Sequence, residues 1–255
     1  MREHNSVQGT LRFTLFNIPV EIQPFSWLIL GLLGLSMGGD DAKAIQVMIF
    51  FIVIGMLTLL AHEFGHALVG RYFTRCTPSI TIGGMGGITH HPVGMPDSKS
   101  HFLMILAGPL ASLALGLVLA IILGVMVGNI WAGITFYLLE PISFITDIHA
   151  PFSHILDIYN AVASGELSTV VLRFFSVSLM ICFWWTVFNL LPILPMDGGQ
   201  LLLTASKNRR MTSGIGMVLS GLLAIYFVSG GGIFMTLMMG YFAWINWKIF
   251  NLYRR

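Results

Sequence analysis

Two histidines and a glutamate stand together in an apolar stretch of this chain, Leu59-Leu60-Ala61-His62-Glu63-Phe64-Gly65-His66. Residues four apart share one face of a helix, so His62 and His66 can point at a single metal ion. Glu63 lies on the adjacent face, where its carboxylate can polarise a water held by that metal. This H-E-x-x-H pattern is typical of zinc proteases, and it predicts a hydrolytic metal site.

A catalytic zinc ion takes three protein ligands and keeps one position open, so the histidine pair needs a partner. Asp197 is the candidate, because it follows Pro192 and Pro195, which cannot continue a regular helix. Irregular backbone at membrane depth is tolerated only where it lines a cavity or is buried in protein. The alternative is that Asp197 merely caps the helix Gly198–Ser206. The remaining histidines lie at no helical spacing from the pair: His4, His90, His91, His101, His149 and His154.

Composition indicates where this site lies. Apolar residues make up 56% of the chain, charged residues only 9%, and the mean hydropathy is +0.84. A soluble chain of 255 residues has too little interior for that much apolar surface. We therefore predict an all-α polytopic membrane protein with about six transmembrane helices. The predicted spans are Phe25–Met37, Ala44–Val69, Phe102–Ile130, Thr169–Leu191, Ile215–Val228 and Ile233–Ile249.

The basic residues predict the orientation, because they stay on the cytoplasmic side of a membrane. With the N-terminus inside, all of the 13 Lys and Arg residues except Lys43 and Arg173 fall inside. Both termini are then cytoplasmic. Arg71 marks the cytoplasmic end of the second span, which places the His62 and His66 pair roughly 8–14 Å deep at about 1.5 Å per residue.

Three further features narrow the function. The net charge of +2 offers no basic patch for nucleic acid. Cys76 and Cys182 lie far apart and indicate neither a disulfide framework nor a C-x-x-C site. Residues 131–168 contain no Lys or Arg and are broken by prolines, so we predict an outer-face loop with an interfacial helix. A seventh span at Trp131–Ile148 would move the basic cluster Lys207–Arg210 outside, which disfavours it.

These motifs together resemble the site-2 protease family of intramembrane zinc metalloproteases. The resemblance depends on His62-Glu63-Phe64-Gly65-His66 in one span, with Asn189-x-x-Pro192 and Asp197-Gly198 about 130 residues later. Gly83-Gly84-Met85-Gly86 and Ala107-Gly108-Pro109 support it. It covers a catalytic core of about residues 46–206, corresponding to three helices of the family, within a single predicted membrane domain over residues 1–255. We expect neither the PDZ domain nor the CBS pair of many members, because no stretch of the chain has room for them.

The resemblance implies roles for particular residues. His62, His66 and Asp197 would bind one Zn²⁺, and Glu63 would be the general base and later the proton donor. Asn189 would help to position the substrate or stabilise the oxyanion. Pro78–Met95 would form a re-entrant β-type loop, whose alternation and glycines suit strands and a turn. An exposed strand edge there could pair with the substrate backbone, although a simple cytoplasmic loop remains the alternative.

The resemblance implies an endopeptidase that cleaves transmembrane segments of membrane-tethered proteins. Its partners would be a transmembrane substrate, the lipid bilayer and a regulatory membrane protein, with no nucleic acid. Two alternatives are a pseudoprotease that binds helices without cutting and a metal-ion transporter. Glu63 and Asp197 argue against the first. The lack of an internal repeat argues against the second, since transporters usually contain repeats.

Overall fold

The structure is a computed structural model that describes residues 8–38, 43–84, 86–146, 153–230 and 232–253. Five helices in the described part are long and apolar enough to cross a membrane, and two apolar helices are shorter. Each predicted span overlaps a different one of these helices, so the prediction of a polytopic helical protein is confirmed. The helices are α1 (Pro24–Gly38), α2 (Ala44–Thr74), α3 (Ser98–Met126), α4 (Ile130–Thr146), α5 (Ser153–Ala163), α6 (Thr169–Asn189), α7 (Asp197–Ser206), α8 (Arg209–Ser229) and α9 (Ile233–Leu252).

Three helices, α2, α3 and α6, pack against one another and form the core expected from the sequence. The α2–α3 contact is backbone to backbone. A Cβ atom added at Gly65 would lie only 2.3 Å from the carbonyl oxygen of Ala107. Nearer the start of α2, Ile54 is buried against Val177 and Ile181 of α6. These contacts fix the helix that carries both histidines between two neighbours.

A four-stranded sheet packs on the C-terminal half of α2. Its strands follow chain order as β1 (Leu11–Leu15), β2 (Ile18–Ile22), β3 (Ser79–Gly83) and β4 (Gly86–His90). The β2–β3 pair is parallel, and the other two pairs are antiparallel. The β3–β4 hairpin confirms the strand-and-turn element predicted in Pro78–Met95. The β1–β2 hairpin was not predicted, and it leaves β4 as one edge of the sheet.

Residues 131–168 differ from their prediction as an outer-face loop with one interfacial helix. The described part of the segment contains two helices, and α4 runs antiparallel along the C-terminal half of α3. A Cβ atom at Gly133 would lie 1.9 Å from the carbonyl oxygen of Ala120, and one at Gly116 would lie 2.3 Å from the hydroxyl of Tyr137. The two helices pack this closely because neither glycine has a side chain. Phe136 and Ile158 are buried in the same cluster, so one face of α4 and one face of α5 pack on the helix bundle.

The last two helices, α8 and α9, form a hairpin that reaches the backbone next to Asp197. Asn246 of α9 is completely buried, and its Nδ2 donates to the carbonyl oxygen of Leu194 at 2.6 Å. Met239 and Phe242 of the same helix bury Ile193. The segment between α6 and α7 is therefore held by the C-terminal hairpin.

Candidate metal centre and active site

One helix supplies three side chains of the site. Along α2, His62, Glu63 and His66 are 3%, 4% and 8% exposed. The two imidazole rings meet edge to face with their centroids 4.8 Å apart, and their Nε2 atoms lie 3.2 Å apart. The i, i+4 spacing predicted this convergence, and the structure brings the two histidines together.

The fourth side chain arrives from a distant segment. An Oδ2 atom of Asp197 lies 2.9 Å from His62 Nε2 and 3.3 Å from His66 Nε2. The interpretation of Asp197 as a helix cap is wrong, because α7 begins at Asp197 itself and its N-cap is Met196. The side chain is thus directed to the histidines instead of to the amides of its own helix.

Two glycines after the aspartate allow this placement. A Cβ atom at Gly198 would lie 2.0 Å from the carbonyl oxygen of Leu190, and one at Gly199 would lie 2.5 Å from the carbonyl carbon of Ile193. The first turn of α7 can pack against the preceding segment only because these side chains are absent. That close packing sets the position of Asp197 relative to α2.

Hydrogen bonds from α3 orient both imidazoles. His66 Nδ1 donates to the carbonyl oxygen of Met104 at 2.8 Å, so this nitrogen carries the proton. Ser112 Oγ donates to the carbonyl oxygen of Gly108 at 3.3 Å, and it therefore accepts from His62 Nδ1 at 3.0 Å. In both rings the Nε2 atom is left with its lone pair, as a metal ligand requires.

The three facing atoms fit a zinc ion. His62 Nε2, His66 Nε2 and Asp197 Oδ2 are then all electron-pair donors, and their separations are 2.9, 3.2 and 3.3 Å. Such a group repels itself unless a cation lies among the donors. Tetrahedral zinc with bonds of about 2.0–2.1 Å needs ligand separations of about 3.3 Å. The donor set of two imidazoles and one carboxylate is also typical of catalytic zinc.

A glycine of α3 leaves space for the metal-facing nitrogens. A Cβ atom at Gly108 would lie 2.3 Å from His66 Nε2 and 2.9 Å from His62 Nε2. Any side chain at this position would occupy space that the ligand atoms need. The Ala107-Gly108-Pro109 motif is visible in the sequence, but nothing in its local pattern indicates this role.

Glu63 lies next to both histidines and contacts strand β4. Its ligand atom lies within 4.8 Å of those of both histidines, close enough to act on a water at the metal position. The hydroxyl of Thr89 in β4 donates to Glu63 Oε2 at 2.7 Å. His62, Glu63 and His66 thus form a group whose ligand atoms all lie within 4.8 Å of one another.

Asn189 is not connected to this group by a hydrogen bond. It ends α6, and its Nδ2 donates to the carbonyl oxygen of Trp185 one turn earlier at 2.9 Å. The ring of Trp185, which sequence reasoning did not single out, lies 6.3 Å from the ring of His62. The catalytic role of Asn189 stays a prediction.

Three other histidines among the described residues lie outside the site. His101 is 3.3 Å from the hydroxyl of Thr204, and His91 packs against Gly70. His90 is exposed on β4. His4, His149 and the side chain of His154 lie outside the described residues.

Comparison with known proteins finds a matching family and related sequences. The model of Peptidase family M50 matches residues 49–229. The Synechocystis protein named Putative zinc metalloprotease sll0528 is 28% identical over 251 residues, covering 90% of this chain and 56% of that protein. Stage IV sporulation protein FB of Bacillus subtilis is 26% identical over 188 residues, covering 72% of this chain and 46% of that protein. The chain thus spans about half the length of these curated relatives.

A solved structure shares the fold. The site-2 protease from Methanocaldococcus jannaschii superposes with a TM-score of 0.55 and 18% sequence identity. The match covers 94% of this chain and 95% of that one. At this identity the likeness concerns the arrangement of helices and strands.

Proposed function

This chain belongs to Peptidase family M50, the site-2 protease family of zinc metallopeptidases, and we propose that it cleaves transmembrane segments of membrane-tethered proteins. The observation that carries the proposal is the convergence of His62, His66 and Asp197 beside Glu63 on an apolar helix long enough to span a membrane. Buried ionisable groups in such a helix are costly, so they indicate a functional site.

The proposal includes an orientation with both termini in the cytoplasm, in a plasma or inner membrane. Arg173 Nη1 donates to Gln46 Oε1 at 2.8 Å, which joins the N-terminal end of α6 to the N-terminal end of α2. The contact of His101 with Thr204 joins the start of α3 to the end of α7. The starts of α2 and α6 therefore lie together, and the start of α3 lies with the end of α7. These pairs match the sides of the membrane predicted from the basic residues, and they support an active site within the bilayer, nearer the cytoplasm.

The chemistry divides between the ion and the protein. Zinc, when bound by His62, His66 and Asp197, supplies a Lewis acid that polarises the scissile carbonyl and lowers the pKa of water to about 7. Glu63 takes the proton from the attacking water and later gives it to the leaving amine. We keep Asn189 in the proposal as a residue that positions the substrate at the end of α6.

Substrate helices protect their own peptide bonds, because each backbone group is hydrogen-bonded within the helix. We therefore propose that the substrate enters locally unwound and pairs with β4. Among the described residues β4 is an edge strand of the sheet, and its inner face contacts Glu63, so main-chain pairing along that edge would hold an extended segment near the base. Control by a regulatory membrane protein is part of the same proposal.

The test uses the purified chain in detergent with a single-span fusion protein as substrate. Wild-type protein should cleave it, and a chelator should abolish cleavage. Glu63→Gln should keep zinc and lose cleavage, because the amide cannot accept the proton. Asp197→Ala should lose zinc as well, because only two ligands remain.

Two outcomes would contradict the proposal. Cleavage by Glu63→Gln at the wild-type rate would remove Glu63 as the base, and full zinc occupancy in Asp197→Ala would remove Asp197 as a ligand. Zinc-loaded wild-type protein that never cuts, assayed in parallel for metal flux in vesicles, would favour a pseudoprotease or a transporter.

A further inference from the structure

The carboxylate of Glu63 lies directly beneath one face of β4. The strand register pairs Thr89 with Ile80 and Gly87 with Ile82, and both isoleucines are completely buried. Thr89 and Gly87 therefore share the strand face that packs on α2. Ile88, between them, is 60% exposed on the opposite face.

Thr89 and Gly87, the two residues on the inner face, lie next to different oxygen atoms of the Glu63 carboxylate. Thr89 Oγ1 lies 2.7 Å from Glu63 Oε2 and 3.1 Å from the Glu63 carbonyl oxygen, and its single proton is directed to these acceptors. A Cβ atom at Gly87 would lie 2.6 Å from Glu63 Oε1. The hydroxyl thus fixes Oε2, while the missing side chain leaves space around Oε1.

A hydrogen bond of this kind is worth more than an ordinary one. Glu63 is only 4% exposed, so its carboxylate has lost most of its contact with water and needs a donor. Donation to an ionised acceptor is stronger than donation between neutral groups. Glutamate has several rotatable bonds, and a fixed Oε2 limits the positions that Oε1 can take.

We propose that Thr89 is the positioning residue for the general base, holding Oε2 of Glu63 so that Oε1 receives the proton from water. This inference rests on the proposed peptidase function and goes beyond it. It concerns the orientation of the base, and it requires no role for Thr89 in zinc binding. Its location on the edge strand that would receive the substrate places the orienting hydroxyl and the docking surface on one element.

The experiment compares Thr89→Val, which is nearly isosteric and lacks the hydroxyl, with Thr89→Ser, which keeps it. In the single-span cleavage assay, Thr89→Val should lower kcat about 10- to 100-fold, the loss expected for a hydrogen bond to a charged group. KM and zinc content should stay at wild-type values. Thr89→Ser should recover most of kcat.

Thr81→Val is the matched control. Thr81 lies on β3 opposite Ile88, on the face turned away from α2, so the same substitution should leave kcat unchanged. Infrared difference spectra against Glu63→Gln give a readout that a purely structural role would not move. The carboxylate stretching band of Glu63 should shift in Thr89→Val and keep its position in Thr89→Ser.

Each other outcome is decisive. Thr89→Val with wild-type kcat would overturn the inference and leave the peptidase proposal intact. Loss of zinc in Thr89→Val, or a Thr89→Ser variant as slow as Thr89→Val, would assign Thr89 a structural role instead. Wild-type protein that loads zinc and does not cleave would overturn the proposed function, and this inference with it.

Discussion

Gly108→Ala should remove zinc from the site while leaving the fold largely intact. The new methyl group would lie 2.3 Å from His66 Nε2, whereas ordinary contacts begin at 3.4 Å. The ligand nitrogen would have to move by about 1.1 Å, several times the roughly 0.2 Å that metal–ligand distances tolerate. His66 cannot turn away freely, because its Nδ1 is bound to the Met104 carbonyl oxygen.

We expect zinc affinity to fall by at least about 100-fold, equivalent to about 2.7 kcal/mol. Loss of an outer-shell partner already costs 10- to 100-fold in metal affinity, and this change displaces a ligand itself. The assay is zinc competition against a chromogenic chelator, with metal content by mass spectrometry and thermal unfolding in detergent.

Gly116→Ala provides the matched control on the same helix. Its methyl group would also lie 2.3 Å from a neighbour, the Tyr137 hydroxyl, but away from the metal ligands. Both changes add similar helix propensity, up to about 1 kcal/mol. The reasoning fails if Gly108→Ala binds zinc like wild type, or if Gly116→Ala loses zinc to the same extent.

Two more predictions concern residues farther from the metal. Asn246→Leu should lower the unfolding temperature and speed zinc loss. The carbonyl oxygen of Leu194, near Asp197, would lose its hydrogen-bond donor at a cost of about 1–3 kcal/mol. The same change at the exposed Asn251 should have neither effect. Burial and nearby histidines lower the pKa of His91 below 6.5. Protonation of His91 therefore costs no stability above pH 6.5. Below that pH the free energy of unfolding falls, because the unfolded chain takes up the proton first. His91→Gln should flatten that acid-side fall in unfolding temperature, and His90→Gln, which removes only the smallest contribution to the shift, should flatten it much less; an unchanged pH profile in His91→Gln would refute the assignment.

Local periodicity was enough to predict the elements that carry the site. The spacing of His62 and His66 depends only on helix geometry, and the apolar run around them is too long for a core helix of a small soluble domain. Alternation and glycines likewise predicted the β3–β4 hairpin. Each of these patterns recurs every few residues, so several neighbouring positions support the same assignment of helix or strand.

The β1–β2 hairpin was missed although its signal is present. Ile18, Val20 and Ile22 are buried and alternate with the less buried Pro19 and Glu21, which is the pattern of a half-buried strand. The turn between the strands uses Phe16 and Asn17 with positive φ angles of 51° and 60° and contains no glycine to mark it. The parallel pairing of β2 with β3 joins segments about 60 residues apart, and no local pattern encodes it.

Contacts between distant segments account for the remaining misses. Ser112 and Thr89 bind His62 and Glu63 through hydrogen bonds that join α3 and β4 to α2. In the sequence, Ser112 is one of several small residues in an apolar run, and Thr89 stands in a glycine-rich loop. Their functions depend on which helix or strand packs next to them, and the tertiary fold alone decides that.

The two halves of the site are held by different kinds of structure. The side chains proposed as zinc ligands are held by helix-to-helix contacts, with α3 orienting both imidazoles and the C-terminal hairpin holding the segment before Asp197. Glu63, the proposed base, is held by an edge strand through its hydrogen bond with Thr89. A strand that gains a pairing partner becomes more rigid, whereas the packed helices have no such open edge. Substrate docking on β4 should therefore restrict the position of Glu63 without moving the proposed metal ligands. The turnover rate should then depend on how the substrate pairs with β4, whereas the zinc affinity should not.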